Sequence, residues 1–241
     1  MKKLWKHFAN TGKKFIRRLD RKNVVFSIGE NCLTDDLLSR NNLKSFSSPY
    51  STGRSNIEYI LAFEQEQFSS FLCPDYLTYE TVDNKRVVRN SKYVSVKNSY
   101  HPSVLNGFEF THHDVLGDRK ARQTMQKRCE RQLRLKNKNI VMLYHHRYCE
   151  NTDVDFLCMQ LSELAQLYRE RGNKVSVLWF TQIPGTDPQK RRIEKLITGD
   201  TNGYTFYTEQ EWKGSDPQIF FGRSDDDLFR EMIRDIKMSL K

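Results

Sequence analysis

The chain has 241 residues, of which 37% are hydrophobic and 29% charged, and it carries a formal net charge of +10 at neutral pH. That length supports one large or two small domains with core enough to fold without covalent staples. No apolar run approaches the roughly 18 residues of a membrane span, and no continuous apolar stretch near the start resembles a secretory signal, so a cytoplasmic location is expected. The five cysteines (Cys32, Cys73, Cys129, Cys149 and Cys158) are odd in number and lack C-x-x-C spacing, which argues against a disulfide framework and a structural zinc site.

The charge is concentrated at the start. Residues 1–22 set nine basic side chains against Asp20 and supply +8 of the total, leaving +2 for the rest. Leu4, Trp5, Phe8, Phe15, Ile16 and Leu19 recur at helical spacing, with Gly12 weakening the middle. This is the pattern of a basic amphipathic helix on an anionic membrane surface at the inner membrane face, with Lys2, Lys3, Trp5, Lys6, Phe8, Lys13, Lys14, Arg17 and Arg18 as its contacts. An ordinary helix packed on the domain with a solvated basic face fits the same spacing. No aromatic and basic recognition motif points to nucleic acid, which is not expected as a partner. The organisation is thus a segment, 1–22, and a single domain, 23–241.

Beyond residue 22, Val24 to Ile28 reads as a buried strand, Gly29 permits a tight turn, and a helix begins near Leu33. A helix over 56–72 (Ile57, Ile60, Leu61, Phe68, Phe71) leads to a hairpin over 76–96 around Asp83-Asn84, then to the short run Phe108 to Phe110 and a long charged helix over 118–136. The second half predicts a strand over 139–144, a helix over 152–171 ended by Gly172, a strand over 174–180, a helix over 187–198, a short strand over 204–207 and a closing helix over 225–240. Strand and helix in alternation mean βαβ units. The expected fold class is α/β, a mostly parallel central sheet flanked by helices in three layers, with a small β-hairpin insertion near 76–96.

In open α/β sheets the working groups collect beyond the carboxyl ends of the strands. There stand Cys32 after the first strand, His112, His113 and Asp114 after 108–110, and His145 and His146 after 140–144. A thiol at the start of a helix meets free N–H groups that lower its pKa well below about 8.5. The competing reading of Cys32 is a small residue filling a turn. A thiol with an imidazole and an orienting group is the minimum for nucleophilic catalysis. The roles that follow are Cys32 as nucleophile, His113 or His112 as base, Asp114 as orienter, and Glu30, Asn31, His145 and His146 as substrate contacts. Adjacent positions in an extended segment point oppositely, so only one of each histidine pair should face the site.

Rival motifs carry less. His112, His113, Asp114, His145, His146 and Cys149 are metal-ligand types, but adjacent histidines lack the i, i+4 spacing of a helical site, and no metal is expected. Asp153-Val154-Asp155 and Asp225-Asp226-Asp227 read as helix starts, capped by Thr152 or Asp153 and by Ser224. The arginines at 119, 122, 128, 131 and 134 read as a solvated helix face. No dinucleotide fingerprint or phosphate-binding loop is present in the sequence, and no cofactor is expected.

Three stretches resemble a bacterial family of papain-like cysteine peptidases: the turn Ser27-Ile28-Gly29-Glu30-Asn31-Cys32, the segment Phe110-Thr111-His112-His113-Asp114, and the basic helix Lys127-Arg128-Cys129-Glu130-Arg131 leading into Ile140 to Tyr144. Trp212-Lys213-Gly214 is similar too, so the resemblance extends over most of 23–235. Where that family tends to show Pro-Phe-Asp-Trp, this chain has Pro49-Tyr50-Ser51-Thr52. The first turn is also similar to the nucleophile turn of SGNH-type esterases, which have serine in place of Cys32 and a parallel three-layer fold. Papain-like folds instead pack the nucleophile helix on a largely antiparallel sheet. The resemblance implies a cysteine-dependent hydrolase or acyltransferase using a Cys–His pair on an acyl, peptide or glycan substrate. Members are often associated with surface-polysaccharide genes, which makes a glycosyltransferase-like or accessory protein of polysaccharide assembly the first alternative. A non-catalytic membrane-associated binding protein is the second.

Overall fold

The computed structural model describes residues 22–95, 99–216 and 219–241. All of the basic segment but Lys22, and with it every expected membrane contact, lies outside the described residues.

The central sheet has five strands in the order β1-β5-β6-β8-β7: β1 (Asn23–Gly29), β5 (Asn139–His145), β6 (Lys174–Ile183), β8 (Thr201–Tyr207) and β7 (Arg192–Thr198). The first four run parallel in that order, and β7 closes the edge antiparallel to β8. Buried strands read as near-continuous apolar runs, and these alternate strictly between two cores. Val24, Phe26, Ile28, Ile140, Met142, Tyr144, Val175, Val177 and Trp179 face one core. There they meet α2 (Ile57–Gln65), α3 (Arg119–Leu133) and α4 (Val154–Arg169). Val25, Val141, Leu143, Leu178, Phe180, Tyr204 and Phe206 face the other, covered by α1 (Leu33–Arg40) and α5 (Asp226–Met238). The molecule is therefore a three-layer α/β fold with a mostly parallel sheet.

A second antiparallel sheet, β2 (Leu77–Val82), β3 (Lys85–Asn90) and β4 (Phe108–Phe110), stands beside it. The turn Asp83-Asn84 has both residues at positive φ, as a two-residue hairpin requires. Phe63, Phe71, Phe108 and Phe110 form an aromatic cluster joining this sheet to α2, with ring centroids 4.8–6.2 Å apart. That cluster explains one departure from expectation. The helix predicted over 56–72 ends at Gln65, because Gln67 and Phe68 both take positive φ and turn Phe68 and Phe71 inward.

The helix predicted over 187–198 is wrong. A single 3-10 turn (Pro188–Lys190) is followed by β7, whose residues pair one for one with β8 across Gly199-Asp200. A glycine at φ 54° followed by an aspartate is a two-residue hairpin turn, and it forces 192–198 into the sheet edge. Asp153 caps α4 by accepting from Phe156 N at 2.9 Å, as expected. Ser224 does not cap α5. The residue before that helix is Asp225, whose carboxylate is engaged by Arg191 and by Trp212 Nε1, each at 2.7 Å. The arginine face of α3 is likewise not simply solvated: Arg122 donates to the carbonyls of Leu72 and Val115, and Arg128 to Thr52 Oγ1. Among the described residues no helix is long and apolar enough to cross a membrane.

Candidate functional site

Strand β1 ends at Gly29, whose φ of 133° suits only glycine and whose missing Cβ would meet His145 N at 2.8 Å. This close approach brings the turn 30–32 against the end of β5, where Glu30 N donates to His145 O. Cys32 then occupies the position before α1, with Asp36 N closing the first helical hydrogen bond on its carbonyl. A cleft of about 1580 Å³ opens here, beyond the carboxyl ends of β1, β5 and β6. Cys32, Asn31, His101, His112, His145 and Arg147 are among its walls.

Strand alternation separates the second histidine pair. His145 is on the α1 side, its ring stacked 4.8 Å from Phe180. Its Nδ1 lies 3.1 Å from Asn31 Oδ1, and the same oxygen accepts from Leu33 N at 3.0 Å. An atom that accepts from a backbone N–H is the amide oxygen, so His145 must donate from Nδ1, and a neutral ring then keeps its lone pair on Nε2. Burial holds the ring neutral by pushing its pKa well below the usual histidine value, and the charge of Arg147 adds to that. His146 turns to the opposite side. It is sealed, with Nδ1 2.9 Å from Glu30 Oε1 and Nε2 3.1 Å from Thr152 Oγ1. Glu30 is fully buried, taking Tyr144 Oη–H and Arg147 N on its two oxygens. Both were expected at the substrate: Glu30 is among the cleft walls though fully buried, whereas His146 is not, and the two lie against the turn and the end of β5.

The first histidine pair also divides. His112 lines the cleft and is exposed, whereas His113 is absent from its walls and faces Arg128, whose charge adds to burial in lowering its pKa. Asp114 orients neither: its oxygens accept from Tyr79 Oη and from the N–H groups of Leu116 and Gly117, which folds the loop on itself. The metal-ligand types considered above are spread over these separate environments, and no three converge among the described residues.

The Cys32 thiol departs from expectation in sign. Burial raises its pKa above the usual value, and Asp35 and Asp36 in the first turn of α1 add to that, against opposing contributions from a backbone hydrogen bond and Arg54. One of the N–H groups at the helix start, Leu33 N, is taken by Asn31 Oδ1. The thiol has no hydrogen-bond partner among the described side chains. The sequence reading missed His101, whose Nδ1 accepts from Ser103 N at 3.2 Å, with Ser103 Oγ in turn taking Arg147 Nη1 at 3.1 Å. Its only sequence signal is the pair His101-Pro102, a short-helix start rather than a strand end.

The departure at Pro49 to Thr52 is legible in the packing. Ser51, at the position where the resemblance led one to expect an acid, is buried beneath β1 and bonded to Ser27 Oγ at 2.8 Å, and Ser27 donates to Asp35 Oδ1 at 2.9 Å. Asp35 thus supplies the carboxylate of that network. The parallel sheet under α1 also departs from the antiparallel packing of papain.

No curated protein and no solved structure matches the chain. A family model does match, over residues 23–180, the stretch that holds Cys32, His112, Asn31 and His145 but not Trp212 to Gly214. With the model covering well over half of its length, the chain belongs to that family, DUF1796, described as "Putative papain-like cysteine peptidase".

Proposed function

We propose that this protein is a cysteine-dependent hydrolase or acyltransferase, with Cys32 as nucleophile, His145 as base and Asn31 as the group that fixes the imidazole. The observation that carries this reading is the shared oxygen of Asn31, which ties the start of the cysteine helix to the histidine ring and leaves Nε2 as the acceptor in a cleft that also holds the thiol. A cysteine, histidine and asparagine set is the papain-type variant of the nucleophilic triad. A raised thiol pKa means a protonated resting state, so the base must act during attack rather than before it.

In the forward step Cys32 Sγ bonds to the acyl carbon while its proton passes to His145 Nε2. The carbon–heteroatom bond of the donor then breaks, and its leaving group takes that proton. Water or another acceptor attacks the thioester, gives a proton to Nε2, and Sγ leaves and is reprotonated from it. A panel of thioester, ester and amide donors tests this. Cys32→Ala should abolish turnover with the fold intact, and His145→Ala should cost about 10²–10⁴-fold. Retained turnover in Cys32→Ala overturns the reading. Loss in His112→Ala with activity kept in His145→Ala would move the base to His112, which lines the same cleft.

A further inference from the structure

Two histidines of the cleft are held in opposite tautomers. His145 keeps its proton on Nδ1, fixed by Asn31, and its lone pair on Nε2. His101 is the reverse. It stands just before the short 3-10 turn Pro102–Val104, and its Nδ1 accepts from Ser103 N at 3.2 Å, which caps that turn. A ring nitrogen that accepts from a backbone N–H carries no proton, so a neutral His101 has its proton on Nε2. Ser103 Oγ lies 2.8 Å from the same Nδ1 and takes Arg147 Nη1 at 3.1 Å, which leaves its hydroxyl proton for the ring. Burial pushes the His101 pKa below the usual histidine value, with Arg147 and Arg54 adding to that against Glu30 and Glu211, so the ring is neutral at neutral pH.

His101 Nε2–H is thus a donor held in place from the far side of its ring, with no hydrogen-bond partner among the described residues, on a wall of the cleft that also holds Cys32 and His145. Other polar groups there are already engaged. Gln182 donates to Thr208 Oγ1 and the Gln210 carbonyl and accepts from Trp212 N. The Arg147 guanidinium is shared between Ser103 and Glu211, and that of Arg54 between Asp83 and Glu109. The charge of Arg54 acts on both the Cys32 thiol and the His101 ring, and that of Arg147 on both histidines, so the three groups share one neighbourhood.

We infer that His101 is a further catalytic residue, donating its Nε2–H to the carbonyl oxygen of the acyl donor as negative charge develops there; this rests on the acyl-transfer reading of Cys32 and His145. As Sγ bonds to the acyl carbon, the π pair of the C=O bond moves onto oxygen, where a preorganised donor stabilises it. When the leaving group departs, the pair returns and the carbonyl re-forms. His101 gives up no proton in either direction, as befits a neutral imidazole acting as an electrophile. One ring then takes the thiol proton while the other holds the oxyanion.

Steady-state kinetics of the full chain, on the thioester, ester or amide donor that wild type turns over fastest, tests this with two variants that separate the ring's two nitrogens. His101→Asn keeps an acceptor and a good cap for Ser103 N but lacks the far donor. Its kcat should fall by about 10²–10³-fold with KM little changed. His101→Gln sets an amide N–H about where Nε2 stands and gives up the cap, so it should keep far more of kcat while melting lower. A purely structural role predicts the reverse order. Full kcat in His101→Asn, or a loss in His101→Gln as large as in His101→Asn, would overturn the inference. So would ¹⁵N spectra of labelled histidine that place the His101 proton on Nδ1, whatever the turnover. Cys32→Ala separates the two readings: if it is inactive while His101→Asn is fully active, only the role of His101 falls. Turnover that survives Cys32→Ala, or a wild type that turns over no donor, removes the acyl-transfer reading and this inference with it.

Discussion

Asn31→Ala removes a single side-chain oxygen that serves two donors. Leu33 N–H loses its acceptor at the start of α1, a loss comparable to deleting a helix cap, about 1 kcal/mol. His145 Nδ1–H, on a ring only 5% exposed, is left unpaired, which costs about 1–3 kcal/mol more. The sum, about 2–4 kcal/mol, corresponds to a fall of about 4–16 °C in melting temperature for a chain of this size. Asn31→Asp keeps the acceptor and should lose much less, while its carboxylate raises the pKa of His145. Thermal denaturation of the full chain measures the first effect, and ¹⁵N spectra of labelled histidine measure the second. The wild-type ring should carry its proton on Nδ1 at neutral pH. An Asn31→Ala variant that melts within about 2 °C of wild type, or a wild-type His145 protonated on Nε2, would refute the reasoning.

Glu64 is fully buried where α2, α3 and α4 meet, accepting from Tyr168 Oη and Gln132 Nε2, and burial outweighs these bonds to raise its pKa. The folded state then binds the proton more tightly than the unfolded one, so this group's contribution to stability falls as pH rises above about 4.3, up to its folded pKa; urea titrations from pH 5 to 8 should show wild type losing stability relative to Glu64→Gln. Gly29→Ala places a Cβ 2.8 Å from His145 N at a φ that alanine resists, and a cost of about 3 kcal/mol or more should appear in the urea midpoint. Alkylation of Cys32 should show a pH midpoint above the usual thiol value, and Asp35→Asn should move it down, as peptide-resolved mass spectrometry across pH would record.

The fold was legible where periodicity and burial coincide. Val24 to Ile28, Ile140 to Tyr144 and Val175 to Phe180 are continuous apolar runs because each is buried on both faces, and a parallel sheet follows. Residues 192–198 misled because an edge strand exposed on most of its length has no apolar alternation to read; the Gly199-Asp200 turn carried the information instead. The site was legible in outline, since strand ends and alternation bring Cys32 and one member of each histidine pair to a single cleft. Its chemistry was less so. The sign of the thiol shift depends on burial and on which acids share the first turn of α1, and the sealing of Glu30 and His146 depends on Tyr144, Arg147 and Thr152 meeting in space. His101 is brought to the cleft by tertiary packing with Ser103 and Arg147, which no local pattern announces.

The proposed chemistry requires that Cys32 carry the acyl group. Rapid quenching of the full chain with a slowly turned-over thioester or ester donor, followed by intact and peptide mass spectrometry, tests it most directly. A mass increase equal to the acyl group is expected on the peptide containing Cys32, absent in Cys32→Ala and slower to form in His145→Ala. Acylation confined to other residues, or an adduct that survives Cys32→Ala, would contradict it.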